Sequence, residues 1–198
     1  EAMRLFIAVH FSDEVRGLLA ETIGRLRAQV LSGNFTRPEN LHLTLAFIGE
    51  THNITAVRQV MDQITAAPFV ITVGGFGHFG TLYWAGADNT APLRSLAESL
   101  QNALRCAGFP IEQRRFQPHI TLARNVVTKG PFDIGIPETH MTVSRVSLMK
   151  SERQHGRLIY SEIYGKVLSA KSISEKGAES SDVRSHPAFK PESRSEAQ

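Results

Sequence analysis

Two four-residue segments, HLTL at 42–45 and HITL at 119–122, each set a histidine two places before a threonine in apolar surroundings. Side chains alternate faces along a β-strand, so residues i and i+2 share a face. As strands, the first segment stands His42 beside Thr44, opposite Leu41, Leu43, Leu45 and Phe47. The second stands His119 beside Thr121, opposite Ile120 and Leu122. Each strand thus presents one imidazole and one hydroxyl away from the core. A lone strand histidine is usually a hydrogen-bonded structural residue. Two copies on facing strands would bring four polar groups into one cleft.

That set suits phosphoryl chemistry without a metal. A neutral imidazole takes a proton from water, and a protonated one gives a proton to the departing oxygen. The hydroxyls donate hydrogen bonds to the non-bridging phosphoryl oxygens. A zinc site would need a third ligand, and neither segment carries a carboxylate, a His-Glu-x-x-His pattern or a cysteine pair. No Gly-x-Ser-x-Gly elbow supports a serine hydrolase. GGFGHFG at 74–80 lacks the Lys-Ser/Thr ending of a phosphate-binding loop. No metal and no cofactor are expected.

The elements needed to hold the two strands recur in order. MRLFIAVHF reads as a strand, followed by an amphipathic helix over DEVRGLLAETIGRLRAQV with Ser12 or Asp13 as its cap. Pro38-Glu39-Asn40 marks a turn before the strand LHLTLAFIGE, which Gly49 is expected to end. A helix over TAVRQVMDQITAA leads to the strand pair FVITVGGF and TLYWAGA. APLRSLAESLQNALRCAG predicts a long helix stopped at Gly108, with Cys106 as a small buried residue. After HITLARN, the strands MTVSRVSLMKS and LIYSEIYGKV form a hairpin around His155-Gly156. Strand, helix and motif strand therefore occur once in each half, the plan of two similar lobes.

The 198 residues suit one compact body of this kind. Residues 169–198 are polar and Ser-rich, and are expected to form a disordered tail on a single domain at 3–168. With 41% hydrophobic residues the chain can build a core. No apolar run reaches membrane-spanning length and no signal-type segment precedes Met3, so no membrane is expected, and the cytoplasm is the expected location. Cys106 is the only cysteine, which excludes an intrachain disulfide. The net charge of +3 is modest, but Arg105, Arg114, Arg115 and Arg124 gather around the second motif with only Glu112 against them. Such a local excess favours an anionic ligand.

The paired His-x-Thr-x motifs resemble those of the two-histidine (2H) phosphoesterase superfamily. The longer stretches NLHLTLAFIGE and RFQPHITLAR, with MRLFIAV and GRLIY, resemble its LigT-like branch, the bacterial and archaeal RNA 2′,3′-cyclic phosphodiesterases also called 2′-5′ RNA ligases. The resemblance spans about residues 3–168. It implies an α+β, bilobal duplicated fold, with two facing antiparallel sheets forming a central cleft and helices outside. It also implies hydrolysis of a terminal ribose 2′,3′-cyclic phosphate to a 2′-phosphate. His42 and His119 would be catalytic, and Thr44, Thr121 and Arg124 substrate-binding. His119 is assigned as the base that activates water and His42 as the acid for the leaving 3′ oxygen. The expected partners are RNA ends or nucleotides bearing a cyclic phosphate, met by a monomer.

Two rivals remain open: a phosphodiesterase for small cyclic nucleotides or ADP-ribose cyclic phosphate, and a non-catalytic module that holds RNA ends. Strand parity also raises a difficulty at Arg124, which lies an odd number of places from His119 and would point away from the cleft. A bulge near Ala123 would have to re-aim it. Phe47 has the same parity problem and is read as a core residue. Trp84, Tyr83 and His78 are read as packing.

Overall fold

The computed structural model describes residues 2–170, and the tail expected over 169–198 lies outside them but for its first two positions. Among the described residues are three α-helices and two antiparallel sheets. Strand β1 (Met3–Val9) leads to helix α1 (Asp13–Gln29), whose N-cap Ser12 accepts from the Val15 amide. A short strand β2 (Ser32–Phe35) and a 3-10 turn at Pro38–Asn40 precede the first motif strand, β3 (Leu43–Thr51). Helix α2 (Ile54–Gln63) is capped by Asn53 and is shorter than its apolar pattern suggested. The β-branched Ile64 and Thr65 and the approaching Pro68 favour extended backbone there.

Strands β4 (Phe69–Phe79) and β5 (Leu82–Ala87) form a hairpin, and helix α3 (Ala91–Cys106) follows. Strand β4 runs on through the glycine-rich segment; the Trp84 ring lies across Gly77, where a Cβ would collide with it. Cys106 is exposed, not buried. It lies in the last turn of α3, off the buried stripe of Leu93, Leu96, Leu100 and Leu104.

The second motif strand is β6 (His119–Val127), and β7 (Thr139–Val143), β8 (Arg145–Gln154) and β9 (Arg157–Val167) complete the fold. The segment read as one strand over 141–151 is divided between the sheets. β7 pairs with β4, whereas β8 pairs with β1 and β9. Buried Val143 and Val146 stand three places apart around exposed Ser144 and Arg145, so the alternation breaks where the chain changes sheets.

The first sheet has the order β3-β1-β8-β9 and the second β2-β6-β5-β4-β7. Each motif strand thus belongs to a different sheet. One extended core, including Leu5, Leu19, Leu43, Leu100 and Ile120, fills the space between helices and sheets. Full burial of each such side chain is worth about 1.5–3 kcal/mol. A second, small cluster of Phe6, Ala8 and Met149, with Tyr160 against it, sits apart from that core.

Candidate active site

Both motif strands break their alternation at the same place. In β3, Leu43 and Leu45 are buried, but so is the next residue, Ala46. Pairing with β1 moves from Ala8↔Thr44 to Ile7↔Ala46, leaving Leu45 as an extra residue. In β6, Leu122 and Ala123 are buried in succession, and pairing with β5 moves from Trp84↔Thr121 to Tyr83↔Ala123. An extra residue in one strand reverses the faces of everything beyond it. The bulge in β6 turns Arg124 into the cleft, and the bulge in β3 turns out Phe47, which is 48% exposed. The core reading of Phe47 is therefore wrong.

Neighbouring side chains satisfy carbonyls at the bulges. Gln101 of α3 donates from Nε2 to the Leu45 carbonyl at 2.8 Å. The Thr36 hydroxyl donates to the Thr121 carbonyl at 2.8 Å, and the Thr36 amide to that of Leu122. Unpaired buried carbonyls are costly, so these contacts hold the bulged geometry.

The two histidines are held alike. His42 donates from Nδ1 to the carbonyl of Asn40 at 2.7 Å, and His119 donates from Nδ1 to that of Gln117 at 2.8 Å. A ring whose Nδ1 keeps its proton this way has its lone pair, when neutral, on Nε2. Neither Nε2 is hydrogen-bonded among the described residues, so both are free to exchange a proton. The surroundings differ. His42 packs against Phe6 and edge-on to Tyr160, with ring centroids at 4.8 and 5.1 Å. His119 stands edge-on to Phe79 at 5.4 Å.

Burial lowers the pKa of His42 to about 4, well below the ordinary histidine value. The Asn40 carbonyl acts in the other direction; the charges of His10, Arg124 and His119 lower it further. Thr44 of the first motif and His119 and Arg124 of the second line one cavity, which puts the two motifs in one site. Burial also raises the Tyr160 hydroxyl pKa, against the nearby charges of Arg124 and Arg4.

The site lies in a cleft of two adjoining cavities. One, of about 810 Å³, is lined by His119, Gln101, Arg114 and Arg115 among others. The other, of about 630 Å³, is lined by His42, Tyr160, Arg4 and Lys150 among others. Thr44, Phe47 and Arg124 line both, so they mark the junction. Thr121 is paired with Trp84, half-buried, and lines neither cavity. Tyr83 is 9% exposed and stacks on Phe132, and His78 stacks on Tyr83, so both pack as expected. Tyr160 was missed as a cleft residue; its only signal was GRLIY, where the alternating pattern gives no direction for the ring.

The chemistry available is acid–base exchange at two Nε2 atoms, with a cation and a hydroxyl at the junction for an anion. Among the described residues no group of three His, Cys, Asp or Glu side chains is placed to hold a metal ion. None of the described helices is long and apolar enough to cross a membrane.

Comparisons with known proteins agree on one group. The sequence profile of the 2′-5′ RNA ligase superfamily matches residues 16–155. A curated RNA 2′,3′-cyclic phosphodiesterase of Thermotoga maritima is 32% identical over 176 residues, covering 82% of this chain and 94% of its own length. One from Escherichia coli is 32% identical over 133 residues, covering 63% and 73%. Among solved structures, E. coli LigT complexed with 3′-AMP superposes with a TM-score of 0.75 at 28% identity, covering 85% of this chain and 99% of that one. A protein of Thermus thermophilus gives 0.71 at 27% identity, covering 86% and 100%.

Proposed function

The chain belongs to the 2′-5′ RNA ligase superfamily, and from that membership and the site's geometry we propose that it is an RNA 2′,3′-cyclic phosphodiesterase acting by two-histidine acid–base catalysis. The reaction is hydrolysis of a terminal ribose 2′,3′-cyclic phosphate. Water attacks phosphorus, the bond to the 3′ oxygen breaks, and a 2′-phosphate and a 3′-hydroxyl remain. His119 Nε2 takes the proton from water and His42 Nε2 gives one to the 3′ oxygen. Thr44 and Arg124, at the junction of the two cavities, hold the non-bridging oxygens as charge shifts onto them, whereas Thr121, expected to share that role, lines neither cavity. The domain is the body over 3–168. Leu168 is buried and Ser169 bridges to Ala66, so the packing reaches a residue past that boundary.

One observation carries the reading: two imidazoles from different sheets, each fixed by the carbonyl two residues earlier, leave Nε2 free at one cleft that also holds Arg124. The His42 environment adds a condition. A pKa near 4 leaves this ring neutral in the free protein, which by itself suits a base. An anion bound beside it favours the imidazolium. The acid role of His42 therefore requires that it take up a proton together with the substrate's phosphate.

Incubation with an oligonucleotide ending in a 2′,3′-cyclic phosphate tests the proposal. The expected product is a 2′-phosphate end, formed equally in the presence of excess chelator. A chelator-abolished activity that a divalent ion restores would refute the metal-free mechanism. Binding without turnover would instead identify an RNA-end-binding module.

A further inference from the structure

Asn40, two places before His42, is a polar residue only 7% exposed. It ends the 3-10 turn at Pro38–Asn40 and lines neither cavity of the cleft. Its backbone and its side chain are engaged in different directions. The backbone carbonyl accepts from His42 Nδ1 at 2.7 Å, and the side chain donates from Nδ2 to the Leu158 carbonyl at 3.0 Å. Leu158 and Tyr160 stand on β9, in the hairpin with β8, and both line the His42 cavity. The carbonyl that orients His42 is thus tied, through one residue, to a hairpin 118 positions along the chain.

The second motif is built otherwise. Gln117 stands where Asn40 does, and its carbonyl holds His119 at 2.8 Å. Its side chain lines the cavity beside His119 instead of anchoring to another element. Pro118 follows it, and a residue before proline is confined to extended backbone, which sets the carbonyl's direction locally. Leu41, in the place of Pro118, imposes no such limit. The turn before it closes on a 3.3 Å hydrogen bond from the Leu41 amide to Pro38, long for a backbone pair. Resting on the phosphodiesterase reading, we infer that Asn40 is a positioning residue, which fixes His42 Nε2 in the cleft by anchoring its orienting carbonyl to the β8–β9 hairpin. The first motif thereby takes from a remote strand the stiffness that Pro118 gives the second.

Arg37 provides the control, because its guanidinium donates to the same Leu158 carbonyl. A carbonyl that merely needs a donor would make Arg37→Ala and Asn40→Ala act alike. Misplacing a reacting group by about 1 Å costs on the order of 10²-fold. Asn40→Ala should therefore lower kcat by about 10- to 100-fold with little change in KM. Asn40→Leu, of similar size but without the donor, should repeat that loss, and Arg37→Ala should keep the wild-type kcat. Wild-type kcat in both Asn40 variants overturns the inference, as does an equal loss in Arg37→Ala. If the wild-type protein turns over no cyclic phosphate, the activity is refuted. The His42 Nδ1 proton, followed by NMR, then decides the role of Asn40. It should exchange faster with solvent in the Asn40 variants, while that of His119 is unchanged. Equal exchange in wild type and variants overturns the inference.

Discussion

His42 and His119 make the same hydrogen bond, each donating from Nδ1 to the carbonyl of the residue two places before it. The shared geometry sets both rings in one tautomer with Nε2 as the reactive atom. What separates them is solvent, because His42 lies against Phe6 and Tyr160.

His42→Ala and His119→Ala should each lower kcat/KM by at least about 10²-fold, the usual worth of a general acid or base. The double variant should lose much less than the product of the two. The roles are separated by titrating His42 in NMR spectra with and without a 2′-phosphorylated product. Near 4 in the free protein, its pKa should rise when the phosphate binds. A value that stays near 4 while the enzyme turns over at neutral pH makes His42 the base and exchanges the two roles.

Stability should also report the burial of His42. The unfolded chain takes up this proton below about pH 6.5, and the folded protein only near 4. Between these values the unfolded state binds more protons, so stability falls as pH falls. The full effect is about 3 kcal/mol below pH 4. Burial lowers the pKa of His10 as well and adds in the same direction. Denaturant unfolding of His42→Gln should give a flatter curve over this window, and a parallel curve would contradict the depressed pKa.

Binding of an RNA oligomer should weaken with salt, because phosphate contacts release counterions. Arg114 is paired with Glu112 at 3.3 Å, whereas Arg115 and Arg124 have no ion-pair partner among the described residues. Arg115→Ala and Arg124→Ala should therefore each reduce the log–log salt slope by about 0.7, the single-strand value per phosphate. Arg114→Ala should reduce it less. Salt-independent binding would favour a small nucleotide as the substrate.

The bulge in β3 depends on Gln101. Gln101→Leu leaves the Leu45 carbonyl without its partner, at a cost of about 1–3 kcal/mol. It should also raise KM, since Thr44 and Phe47 flank the bulge. Unchanged stability together with unchanged KM would mean that the backbone holds this shape without the side chain.

Much of this site is legible in the sequence, because strand parity follows from backbone geometry alone. HLTL and HITL identify the histidines, and Arg124 exposes the need for a bulge as soon as its parity is counted. Phe47 carried the same parity signal but was read as core, since hydrophobicity alone argues for burial. Strand β2 escaped notice because Ser32, Gly33 and Asn34 have little strand propensity and pairing with β6 supplies the order. The depressed pKa of His42 could not be read at all. It depends on Phe6 and Tyr160, which reach the ring from remote parts of the chain.

The order β3-β1-β8-β9 has a consequence for how the protein comes into being. β1 leaves the ribosome early, but its second neighbour is made only after most of the body has been synthesised. Until then one edge of β1 lacks its native partner, and unpaired strand edges invite association with other chains. Contacts so distant in sequence also form slowly. The ring that completes the pocket around His42 belongs to Tyr160, on the last strand of this sheet to be made. A nascent chain can therefore carry both histidines while lacking the wall that gives His42 its pKa, and catalytic competence arrives with the closing hairpin.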